Sequence, residues 1–213
     1  MIKVGLSGNR YSGKTRVTNL FKQIGIPVFD ADTVLRFILN YNWELLGEIK
    51  HELGSEIFQG DYLNFREIKN TEVFNNVLKL VEPDILKAYD RFNKKQNSIY
   101  TIFHSSILFE RGWDKNMDKS ISVFSPNTDR IRRCKNLTNM GLLTINDLTK
   151  TEMDPLQKNQ MADYIINNYN NGEVVGHIGL QPTKLPSLVK QVNQIDQKVI
   201  DEYLYKESLI LCV

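Results

Sequence analysis

The chain opens with its clearest pattern. Ile2–Ser7 is an apolar run of strand length, Gly8–Gly13 is a polar turn, and apolar residues then recur at Val17, Leu20, Phe21 and Ile24. That three-to-four spacing predicts a helix from Lys14 to Ile24 with one buried face, ended by Gly25. Pro27-Val28-Phe29 reads as a second short strand that gives way to Asp30-Ala31-Asp32. Strand, glycine-containing loop, helix, strand is the opening of an α/β fold with parallel strands.

From Thr33 to about Lys95 the pattern turns helical and charged, with one turn at Gln59-Gly60-Asp61-Tyr62 and no buried-strand pattern. Strand-like runs return at Ile99–Phe103 and Ser120–Phe124. Asn127–Asn136 is basic and helical, broken by Met140-Gly141-Leu142, and a second polar helical stretch runs to about Asp154. Ala162–Ile166 reads as a last core strand, followed by a loop at Asn167–Gly172 and loop-like sequence over Gly176–Pro186. Ser187 to about Tyr203 is predicted helical, with Leu188, Val192, Ile195 and Val199 on one face.

Composition narrows the class. The 213 residues are enough to bury one sizeable core. A net charge of +2 gives no bulk electrostatic reason for nucleic-acid or membrane binding, so neither partner is expected. Cys134 and Cys212 lie far apart and His51, His104 and His177 are scattered, which matches no zinc spacing and no disulfide framework. The N-terminus runs straight into the loop without a signal-peptide pattern, and no apolar run reaches membrane-span length. These features lead us to expect a cytoplasmic enzyme.

Gly8-Asn9-Arg10-Tyr11-Ser12-Gly13-Lys14-Thr15 matches G-x-x-x-x-G-K-[ST] at every fixed position and sits between a strand and an amphipathic helix. The glycines let the backbone wrap a polyphosphate with its N–H groups inward, and the following helix aims its positive end at the same anion. Lys14 is placed for the outer phosphates and Thr15 for a hydroxyl on Mg²⁺, with Arg16 next on the helix. ATP and Mg²⁺ are therefore the expected ligands. Phosphoryl transfer also needs a carboxylate at the acceptor hydroxyl. Asp30 and Asp32 follow a strand whose carboxyl end faces the ligand crevice of an open parallel sheet, and Asp32 is the candidate base. The structural alternative is that Asp32 caps the next helix. Arg130, Arg132, Arg133 and Lys135 could supply cations for the migrating group. They cannot all share one helix face, and a solvated helix is the alternative. For His104, a satisfied histidine near a strand end is the simpler reading.

Taken together, these motifs resemble the dephospho-coenzyme A kinase family. The likeness is carried by Gly5-Leu6-Ser7-Gly8, Ser12-Gly13-Lys14-Thr15, Val17 to Phe21, Gly25, and Phe29-Asp30-Ala31-Asp32 with Arg36. It continues through Leu53-Gly54, Glu82-Pro83, Ile107-Leu108-Phe109-Glu110, Lys158 and Ala162-Asp163-Tyr164-Ile165-Ile166-Asn167. The resemblance implies a single P-loop kinase domain with a three-layer α/β core on a parallel sheet (residues 1–32, 98–126 and 160–213). It further implies a helical substrate-binding insertion over about 33–97 and a helical lid over about 127–159. The implied reaction, a step of coenzyme A biosynthesis, is ATP-dependent phosphorylation of the ribose 3′-hydroxyl of dephospho-coenzyme A. Asp32 would then be the base, with Asp30 and Arg36 as substrate contacts. The chain departs from the family at Asn9 and Tyr11, where glycine is usual, and near His104, Ser106, Leu137 and Met153. Leu137 stands where the family has a lid arginine, so Arg133, one helical turn earlier, is the candidate for that task. Two other readings stay open: a kinase of a nucleotide or related small molecule on the same frame, and a nucleotide-binding protein without kinase activity.

Overall fold

The computed structural model describes residues 1–60, 62–63, 71–137, 152–169 and 186–211. The chain divides into two compact units, Met1–Val28 with Asn97–Val213, and Phe29–Gln96.

The first unit is built on parallel strands. β1 (Ile2–Ser7) pairs with β5 (Tyr100–His104) and β6 (Lys119–Phe124), and β6 pairs with β7 (Tyr164–Asn167), each pairing parallel. With β2 (Val28–Asp30), in which the unit boundary falls, the sheet order is β2-β5-β1-β6-β7. Its central strands are buried on both faces; β1 and β5 are mainly apolar, while β6 alternates and its buried Ser120 and Ser122 hydroxyls bond Asp163 and Asn159. Val4, Leu6, Ile102, Ile121, Val123 and Ile166 pack with Val17 and Phe21 of helix α1 (Lys14–Gln23). Val192, Ile195 and Val199 join the same core from a C-terminal helix, Leu188–Leu211, that extends beyond the predicted Tyr203. On the other face, a Cβ at Gly5 would meet Leu108 and Met117, so Gly5 lets this layer close onto β1. Phe103 and Trp113 meet edge to face there at 5.6 Å.

The second unit is mainly helical, with α2 (Ala31–Tyr41), α3 (Trp43–Leu53) and α4 (Thr71–Asn93) packed through Leu39, Leu45, Leu46, Ile49, Val77, Leu78, Val81 and Ile85. Asn42 caps α3, accepting from Leu45 N at 3.2 Å. The turn predicted around Gly60 belongs to a ribbon of β3 (Phe58–Gln59) and β4 (Tyr62–Leu63), where no strand was expected. Two-residue strands are too short for alternation to show in a sequence. The cap of α2 is Asp30 rather than Asp32, its Oδ1 accepting from Thr33 N at 3.0 Å.

The basic stretch is α5 (Asn127–Leu137), and Pro155–Met161 forms α6, capped by Asp154; the C-terminal helix is α7. β7 begins at Tyr164 rather than Ala162, because Ala162 is the C-cap of α6 and Asp163 bonds Ser120 N and Oγ, both at 2.8 Å. The break at Met140-Gly141-Leu142, most of the second polar helical stretch and most of the loop sequence over Gly176–Pro186 lie outside the described residues. Among the described residues no helix is long and apolar enough to cross a membrane.

Candidate active site

β1 delivers the chain directly into the phosphate loop. At Gly8 φ is +153° and a Cβ would lie 2.5 Å from the Val123 carbonyl oxygen, so a side chain is excluded there by backbone and contact together. Gly13, at φ +96°, precedes α1, and a Cβ on it would collide with Asn168. Ser12 N–H donates to Asn9 O at 3.1 Å, closing the loop, and Arg16 and Val17 N–H donate to Gly13 O as the helix starts. α1 has no side-chain cap and no acidic residue in its first turn. Its positive end is therefore left for an anion. Lys14 Nζ lies across the loop, 3.0 Å from Asn9 O. The Ser12 hydroxyl is buried with no hydrogen-bond partner among the described residues. An orphaned donor at the start of a helix suits a phosphate.

One face of α5 supports this loop. Arg133 donates through Nη1 to Tyr11 O at 3.0 Å and Ser12 O at 3.1 Å, and through Nη2 to Asn168 O at 2.6 Å. Arg130 reaches Arg10 O at 2.8 Å. The Tyr11 hydroxyl is raised above its usual range, chiefly by a hydrogen bond with Cys134 and then by burial. Residues 130, 133 and 134 lie on one side of the helix, as their spacing dictates. Arg132 turns away and pairs with Asp129 at 2.5 Å. Burial pulls the Arg130 and Arg133 guanidiniums below the usual arginine range, and Glu152 opposes the shift at Arg130. Asn168 completes the support, donating through Nδ2 to Ser12 O at 2.7 Å.

Asp30, Asp32 and Arg36 fall in the second unit, at the start of α2. Arg36 Nη2 is 3.2 Å from Thr33 Oγ1, and Asp30 spends one carboxylate oxygen on the helix cap. His104 is buried at the end of β5, in register with Leu6. Lys158, on α6, is 1% exposed and bonds Glu110 at 2.7 Å and Ser106 O at 2.9 Å, fixing the segment that follows β5. Among the described residues no cluster of His, Cys, Asp or Glu could hold a metal by itself. Thr15 offers a single hard oxygen, which fits an ion carried chiefly by substrate phosphates. Glu152 was not singled out by the sequence, and Asn168 falls in a stretch that reads only as a surface loop, whereas it bonds Ser12 O and Arg133. Each lies more than 100 residues from the loop it touches, with no local pattern to mark it.

The family described as dephospho-CoA kinase matches residues 2–173. The dephospho-CoA kinase of Pseudoalteromonas translucida is 30% identical over 180 residues, covering 82% of this chain and 86% of the relative. That of Zymomonas mobilis is 29% identical over 176 residues, covering 80% and 89%. In fold, the chain is similar to TT1252 from Thermus thermophilus, with a TM-score of 0.72 at 20% identity over 94% of this chain and 97% of that one. Dephospho-CoA kinase from Campylobacter jejuni superposes with a TM-score of 0.51 at 17% identity, covering 92% and 96%. With an intact phosphate loop at the end of its first strand and a family match over most of its length, the chain belongs to the dephospho-CoA kinase family of P-loop kinases.

Proposed function

We propose that the chain transfers the γ-phosphoryl group of ATP to the ribose 3′-hydroxyl of dephospho-coenzyme A. The observation that carries the reading is the Gly8–Thr15 loop, shaped for a polyphosphate, in a chain of this family. Loop N–H groups and the start of α1 hold the phosphates, and Lys14 exchanges Asn9 O for the outer ones. Mg²⁺, held at Thr15 and on the phosphates, would neutralise charge that develops during transfer. Asp32 takes the proton of the acceptor hydroxyl, while Asp30 and Arg36 contact the substrate. Arg133 is the assigned cation for the migrating group. Among the described residues its bonds use three of the five guanidinium N–H groups, which leaves donors for an anion.

A second reading, a kinase of nucleoside monophosphates, draws on the departures at Asn9, Tyr11 and Leu137. The test is ATP turnover with dephospho-coenzyme A and with nucleoside monophosphates, the products identified by mass. Phosphorylated coenzyme A as the favoured product is expected. Turnover with a monophosphate and none with dephospho-coenzyme A would favour the second reading.

A further inference from the structure

We infer that Arg130, Glu152 and Asn9 form a charged brace that holds the phosphate loop in its binding shape before nucleotide arrives. Arg130 and Glu152 are then positioning residues. The functional part of this inference rests on Gly8–Thr15 being the ATP site; the mechanical part does not.

The Glu152 carboxylate is shared three ways. Oε1 accepts from Arg10 N–H at 2.8 Å, and Oε2 accepts from Asn9 Nδ2 at 3.1 Å and from the Arg130 guanidinium. Arg130, 2% exposed, donates through Nε to Arg10 O at 2.8 Å and through Nη1 to Asn127 Oδ1 at 2.7 Å. Asn9 Nδ2 also reaches Met153 O at 2.7 Å. One ion pair thus takes both backbone groups of Arg10, the glutamate holding the N–H and the arginine the C=O. That fixes the peptide planes on either side of Arg10.

The next residue shows why such holding is needed. Tyr11 has φ +62°, the left-handed region that a residue with a large side chain adopts only when its surroundings impose it. Glycine at positions 9 and 11 would follow the loop without strain but would leave it freer before binding. Here Asn9 instead contributes its side chain to the brace. A loop ordered in advance does not charge its ordering cost to nucleotide binding. A buried apolar pair could fill the same space with equal or greater stability, but it could not orient a peptide N–H and C=O.

The test uses the full-length protein, with hydrogen exchange measured in the absence of nucleotide and ATP binding measured by calorimetry. Glu152→Gln removes the charge while keeping the shape. In this variant, amides over residues 9–13 should exchange about tenfold faster or more, with β1 and β6 unchanged. ATP should bind about tenfold more weakly, and KM for ATP should move more than kcat. The double variant Arg130→Gln/Glu152→Gln strands no buried charge. It should recover thermal stability relative to Glu152→Gln while keeping the fast loop exchange, a split that a purely structural pair would not give. Unchanged loop exchange in both variants overturns the brace, even where Lys14→Ala still weakens ATP binding by about two orders of magnitude. Faster loop exchange in a protein whose wild type fails to bind ATP supports the brace and removes the ATP reading instead.

Discussion

Arg133→Ala tests the assignment of the phosphoryl-transfer cation. The side chain makes three charge-assisted bonds, to Tyr11 O at 3.0 Å, Ser12 O at 3.1 Å and Asn168 O at 2.6 Å. After truncation Ser12 O keeps its bond from Asn168 Nδ2 at 2.7 Å, while the bonds from Arg133 to Tyr11 O and Asn168 O are lost. Two bonds from a charged donor, at about 1.5 kcal/mol each, amount to about 3 kcal/mol. Relief of the guanidinium's own desolvation returns part of this, leaving about 2–3 kcal/mol, a factor of about 30 to 150. That factor is an upper limit on lost loop support, because the three bonds exist without ligand. A contact from the remaining donors to the migrating group is separate and of about the same size, and steady-state kinetics with saturating acceptor, together with calorimetric ATP binding, tell the two apart. If Arg133 serves the migrating group, kcat drops by about a hundredfold and the ATP dissociation constant rises by no more than about tenfold. Arg133→Lys, which keeps the charge but lacks the fork, should recover kcat only in part. A loss confined to ATP affinity would refute the assignment and make Arg133 another support of the loop. Turnover and affinity both within twofold of wild type would refute the energetic reasoning as well.

Three further outcomes are expected. Lys14→Ala removes the cation proposed for the outer phosphates, so ATP binding by calorimetry should weaken by about two orders of magnitude; equal binding by wild type and variant would move the site elsewhere. Asp32→Asn is nearly isosteric and should leave ATP affinity in place while turnover falls by roughly two to four orders of magnitude; turnover within a few-fold of wild type would pass the role of base to Asp30. Glu202 is held below its ordinary value of 4.5 by hydrogen bonds from Tyr164 and Lys119. A carboxylate with a depressed folded-state pKa contributes stability above its unfolded pKa and loses it as pH falls through the folded one. The melting temperature of wild type should therefore exceed that of Glu202→Gln above about pH 4.5, with the gap closing in more acidic buffer. A gap that widens on acidification would contradict the sign.

How far the site could be read in the sequence depended on the range of the forces involved. Gly8, Gly13, Lys14 and Thr15 belong to the local geometry of a strand turning into a helix, so their spacing alone predicted the strand–loop–helix that the structure shows. The supports of that loop were legible only in part. The spacing of Arg130, Arg132 and Arg133 showed that they could not all face one way. It could not show that residues 130 and 133 face the loop while Arg132 turns to Asp129. That choice is made by what packs against the helix. The β3–β4 ribbon escaped for another reason: strands of two residues carry no periodicity.

The sequence by itself determined the α/β core, because buried parallel strands are rich in apolar residues and the helices covering them must carry one apolar stripe. It also determined the phosphate loop and the family. Only the tertiary structure decided that Glu152 and Arg130 grip Arg10, that Asn168 closes over Gly13, and that Lys158 is buried against Glu110. Those partners lie tens to more than a hundred residues apart in the chain. A hydrogen bond or ion pair requires atoms within about 3 Å of each other, and no local pattern encodes which distant side chain the packed sheet brings that close.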